Sequence, residues 1–139
     1  MRALSFAIML CLILGSKAQA EDPVQTAQML IQGQIEAFLN NDAAAAYSFA
    51  APDIKALFPD KDIFFAMVKK SYQPVYHPGN YAFGKSRAID NGAVVYQEML
   101  ITGSDDKDWT AIYQILRQPD GSYKIGSVQV LPNTTSKGI

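Results

Sequence analysis

Cysteine and histidine are nearly absent from this sequence, Cys11 and His77 being the single examples of each. With one histidine a multi-histidine metal site within the chain is excluded, and any imidazole acid or base would rest on His77 alone. Charge of one sign is lacking too: 12 Lys and Arg face 13 Asp and Glu, so there is no basic footprint for nucleic acid. The serine nucleophile elbow is missing, because Gly121-Ser122 and Gly126-Ser127 lack the flanking glycines of Gly-x-Ser-x-Gly. The apolar run from Leu4 to Leu14 falls short of the roughly 20 residues that span a bilayer, so stable membrane insertion is not expected.

What is present begins with an address. Arg2 supplies a positive start, Leu4 to Leu14 an apolar stretch, and Ala18-Gln19-Ala20 a small-residue cleavage pattern followed by the polar pair Glu21-Asp22. Residues 1–20 therefore read as a signal peptide cut after Ala20, and the protein as periplasmic or secreted. Lipid attachment at Cys11 is disfavoured by Leu10, which stands where a lipoprotein signal needs a small residue. Cleavage removes the only cysteine, so the exported chain has no disulfide and must be held by its core. Residues 21–131 read as a single domain and 132–139 as a flexible tail.

Periodicity divides that domain into two halves. Val24, Ala27, Ile31, Ile35 and Phe38 recur at helical spacing between Val24 and Asn40. Asn40-Asn41-Asp42 has the chemistry of a stop followed by a start, predicting a helix over Ala43 to Phe49. Pro52 opens a short helical segment to Phe58, and Asp60 caps another containing Phe64, Val68 and Tyr72, which Pro74 ends. Beyond it the period falls to two over Tyr81 to Ile89, Ala93 to Thr102, Trp109 to Gln118 and Ser122 to Leu131, with turn residues between. The fold class expected is α+β: N-terminal helices packed on a curved four-stranded antiparallel sheet, a cone-shaped roll.

The run Gln34-Ile35-Glu36-Ala37-Phe38 with Asp42 and Ala46-Tyr47, then Ala51-Pro52, Phe58, Met67-Val68 and Tyr72 to Val75, resembles the bacterial domain-of-unknown-function family DUF4864. Trp109-Thr110-Ala111, Tyr113, Leu116-Arg117 and Asp120 to Ile125 are similar to that family's closing strands, the last six also to the final hairpin of the nuclear transport factor 2-like superfamily. Tyr123 departs from this pattern by standing where Trp is more usual. The resemblance implies a bent sheet around a long first helix with a cavity at its open end, and implies no activity.

Candidate site residues follow from the chemistry such a cavity would need. Gln34, Phe38, Tyr47, Tyr72, Tyr96, Trp109 and Tyr113 are the ligand-pocket candidates, since aromatic walls with a few polar tips suit small ligands. The catalytic alternative is a cofactor-independent isomerase or dehydratase built on Glu98 and a tyrosine, with His77 a second candidate acid or base. Against it, Lys85 or Arg87 on the neighbouring strand offers Glu98 a surface ion pair. The acidic run Asp105 to Asp108 lacks calcium-loop spacing and reads as a solvated hairpin, so neither metal nor cofactor is expected. Both sheet faces carry apolar residues while helices cover one, so a homodimer through the other face is expected. The function expected is noncatalytic binding of a small apolar ligand or a periplasmic protein. N-terminal sequencing of the exported product should begin at Glu21; recovery of the chain only in the cytosol with Met1 intact would contradict the leader.

Overall fold

The computed structural model describes residues 22–133, so the expected leader and residues 134–139 lie outside the described residues. The chain enters α1 (Pro23–Leu39) through Asp22, whose carboxylate accepts from the Val24 N–H at 3.0 Å. Asn41 takes a φ of 53°, reversing the chain, and Asp42 then caps α2 (Ala43–Ser48) by accepting from the Ala45 N–H at 3.0 Å. Pro52 starts α3 (Pro52–Leu57), and Asp60 caps α4 (Lys61–Ser71) through the Asp62 and Ile63 amides. Pro74 does not end the helical half. It sits in the first turn of a further short helix, α5 (Gln73–Tyr76), where its missing N–H has no partner to lose.

Four strands follow: β1 (Pro78–Ile89), β2 (Val94–Gly103), β3 (Asp108–Arg117) and β4 (Tyr123–Pro132). They pair antiparallel in the order β1-β2-β3-β4, an open α+β sheet. Asp90, Asn91 and Gly92 all take positive φ in the β1–β2 turn, which explains that run of turn formers. Gly92 is further constrained, because a Cβ there would come within 2.6 Å of Pro23 Cγ. Tyr123 donates its hydroxyl to the Gly92 carbonyl at 2.7 Å, tying the start of β4 to the far turn. Pro132, read from sequence as the first tail residue, pairs with Trp109 inside β4.

The core forms where the stripe of α1 meets the inner face of the sheet. Ala27, Ile31, Ile35 and Phe38 are buried against Val95, Met99 and Ile101 of β2, Ala111, Tyr113 and Ile115 of β3, and Ile125 of β4. Each large apolar side chain so buried contributes about 1.5–3 kcal/mol. Phe38 is also the hub of an aromatic cluster, with Phe64, Phe65 and Tyr76 ring centroids 6.4, 5.8 and 6.0 Å away.

One polar residue interrupts the inner face. Gln97 is fully buried opposite the register shift between Phe83 and Ser86, where β1 loses its regular pairing with β2. Its amide nitrogen lies 3.4 and 3.3 Å from the Gly84 and Lys85 carbonyls and 2.8 Å from that of Glu98. Its oxygen accepts from Gln28 of α1 at 3.2 Å. The side chain thus supplies the donor that the irregular strand lacks. Gln97→Leu should destabilise the fold by about 1–3 kcal/mol in urea denaturation, the cost of removing the hydrogen bonds that this buried amide makes to β1 and α1, whereas Gln28→Ala should cost about 1 kcal/mol.

Candidate functional site

Beside the core, α3, α4 and a bend in β4 border an open apolar pocket of about 210 Å³. The bend arises at Gly126, the extra residue at the β3–β4 register shift, where an added Cβ would meet Leu116 Cδ1 at 2.5 Å. Next to it, Ile125 donates to the Phe49 carbonyl and accepts from the Ala51 N–H, both at 2.8 Å. This short parallel bridge between Ala50 and Ile125 fixes the α2–α3 connection on the edge of β4 and sets α3 beside the pocket. Gln34 and Phe38 come from α1, Ile54 and Leu57 from α3 with Phe58 after it, and Phe64, Met67 and Val68 from α4. Tyr72, Val75 and the Ile125–Val128 segment complete the wall. Leu57 is 76 % exposed beside the opening.

Gln34 is the one buried polar residue in that wall, 3 % exposed. Its amide nitrogen donates to the Ala46 carbonyl at 3.2 Å, joining α1 to α2 and fixing which end of the amide points where. Phe38 and Tyr72 also line the pocket. The other residues singled out from sequence lie elsewhere. Tyr47 stands behind the wall, its hydroxyl donating to the Phe58 carbonyl at 2.7 Å, its ring 5.5 Å from Phe64 and beneath the Lys55 ammonium. Trp109 is near the other end of the sheet, around Pro74 and Gly103. Tyr96 is on the outer face, 38 % exposed, with its hydroxyl 3.3 Å from the Gln114 amide nitrogen.

Glu98 shares that outer face with Tyr96, since the strand alternates. Its carboxylate lies over Gly84, where an added Cβ would be 3.0 Å from Oε1. The ion pair expected with Lys85 or Arg87 does not form: among the described residues the pair within 4.0 Å is Lys61–Asp62. Arg87 stands opposite Tyr96, while Lys85 falls in the irregular stretch of β1. His77 follows α5 and stacks on Tyr76 at 4.0 Å, with its Nε2 buried and unpartnered among the described residues. Neither Glu98 nor His77 lines the pocket.

Tyr113 is wholly buried on the inner face, and its hydroxyl has no partner among the described residues. Burial first, and the nearby phenol of Tyr81 second, push its pKa far above the ordinary 10.0. Sequence reasoning did not assign Ile54, Leu57, Phe58, Met67, Val68, Val75 or the Ile125–Val128 bend to the site. The available signal was the pair of short helices framed by Pro52, Pro59 and Asp60, whose apolar residues outnumber what a surface turn needs.

Among the described residues, five α-helices and a four-stranded antiparallel meander, with an apolar pocket between them, define a small α+β domain. The profile described as Domain of unknown function (DUF4864) matches residues 20–138, and the chain belongs to that family. No curated protein and no solved structure matches it.

Removing the unpaired hydroxyl by Tyr113→Phe should raise stability by about 1 kcal/mol. The raised folded-state pKa means that the unfolded chain releases this proton first, so wild-type stability should fall as pH rises above 10.0. The variant should show a shallower fall in denaturation series between neutral and strongly alkaline pH; an identical slope would contradict the assignment.

Proposed function

We propose that this chain is an exported binding module of the nuclear transport factor 2-like superfamily that holds a small apolar ligand between α3, α4 and the bend of β4. The observation that carries this reading is the pocket wall. Among the described residues it is apolar apart from Gln34, Tyr72 and Ser127, and no described Asp, Glu, Lys, Arg or His lines it. The leader pattern of residues 1–20 supports export, and the helices-then-meander order supports the superfamily. Binding is favoured over isomerase or dehydratase chemistry because the strand carboxylate, Glu98, is on the opposite face from the pocket.

A second surface favours self-association. The outer face of the sheet exposes Tyr96, Leu100 and Leu131 at 38, 42 and 41 %. A second copy packed there would cover them, with a periplasmic protein as the alternative occupant.

Both readings are tested on chain expressed with its leader and recovered after export. Ethylbenzene titrated into the protein should shift the methyl resonances of Val68, Val75 and Val128, and Val128→Phe should abolish the response while keeping the circular dichroism of the fold. Native mass spectrometry of the same preparation should find a small apolar molecule bound. Sedimentation at tens of micromolar should give a dimer that Leu100→Glu dissociates. Methyl shifts scattered over the surface would refute the pocket, and a monomer with no co-eluting protein would refute the sheet contact.

A further inference from the structure

Resting on the pocket reading above, we propose that the ligand is uncharged, is of single-ring size, and carries a hydroxyl that donates a hydrogen bond to Gln34 Oε1. Size is the first argument. An apolar cavity of about 150 Å³ holds a benzene molecule, and this pocket measures about 210 Å³. One aromatic ring with a short alkyl group and one polar atom matches that volume.

Charge is the second. Among the described residues, the lining offers neither a cation to a buried carboxylate nor an anion to a buried ammonium. Desolvating an ion against Phe38, Phe64, Val68 and Val75 without a counter-charge would cost far more than the apolar contact returns. A neutral ligand avoids that penalty.

Hydrogen-bonding polarity is the third. Gln34 is 3 % exposed in an otherwise apolar wall, a setting in which both ends of an amide need partners. Its nitrogen is engaged by the Ala46 carbonyl at 3.2 Å. Among the described residues no donor engages Oε1, and it is not one of the buried unpaired atoms, so this carbonyl keeps accessible surface and is the end open to a ligand. A carbonyl accepts; the matching ligand group is therefore a donor. Tyr72, half-buried in the same wall, has a hydroxyl that both donates and accepts, and it does not alter this polarity.

The experiment compares four probes of nearly equal size on the intact exported protein: 4-ethylphenol, 4-ethylanisole, ethylbenzene and 4-ethylbenzoate, at pH 7. 4-Ethylphenol should bind about tenfold tighter than ethylbenzene or 4-ethylanisole and shift the Gln34 side-chain amide resonances, while 4-ethylbenzoate should bind more weakly than ethylbenzene. Gln34→Met should bring 4-ethylphenol to the affinity of ethylbenzene. The four-probe comparison and the amide shift are read on the wild-type protein, so they stand even where the variant loses the Ala46 contact and fails to fold. Tightest binding by the benzoate would overturn the neutral ligand, and equal binding of the phenol and the anisole would overturn the role of Gln34; in both cases the pocket itself survives. Failure of all four to reach the pocket would refute the pocket reading and this inference together.

Discussion

The packing of α1 on the inner face of the sheet is the constraint on which the remaining structure depends. Ile31, Ile35 and Phe38 on one side, and Met99, Tyr113 and Ile115 on the other, are buried with essentially no exposed surface. The sequence has a single cysteine, so no disulfide within the chain can substitute for this contact. The contact also determines where the shorter helices go. Phe38 extends beyond the sheet contact to the aromatic rings of α4 and α5, while α4 itself packs against α2 and α5. The pocket is the space left between that cluster and β4, whose bend at Gly126 turns the strand edge beside it.

Three interior polar side chains show how one physical rule gives different outcomes. Burial penalises any polar atom without a partner. Gln97 satisfies the rule at both ends, its nitrogen near the Gly84 and Lys85 carbonyls of β1 and the Glu98 carbonyl of β2, its oxygen accepting from Gln28. Gln34 satisfies it at one end, through Ala46, and presents the other end to a cavity. Tyr113 does not satisfy it among the described residues, and its phenol is held in the neutral form by burial. A fully paired side chain reads as structural. A half-paired one beside a pocket is where recognition has an atom to work with.

Much of the architecture was legible because it follows from local chemistry. The stripe of α1, the caps Asp42 and Asp60, and the turn at Asp90-Asn91-Gly92 each have a local cause that survives folding. Pro74 misled because a proline is compatible with both the end of one helix and the first turn of the next, and the distinction depends on what Val75 and Tyr76 pack against. The site was legible only in part. Gln34 drew attention as a polar residue at the margin of an apolar stripe, and Phe38 and Tyr72 as aromatic residues, and all three line the pocket. Tyr96 and Glu98 looked equally suitable on a strand whose two faces both carry apolar residues. Alternation says that they share a face without saying which face meets the helices.

The sequence by itself determined the α+β class and the order and approximate ends of the helices and strands other than α5, because hydrophobic period, capping and turn propensity act over a few neighbouring residues. Tertiary structure alone decided which face of the sheet became interior, that Gln97 would serve an irregular strand, and that Ile54, Phe64 and Val128 would line one cavity. Those outcomes require elements distant in the chain to come together. Strand register and the angle at Gly126 set that meeting, and both are resolved only when α1 and the sheet pack.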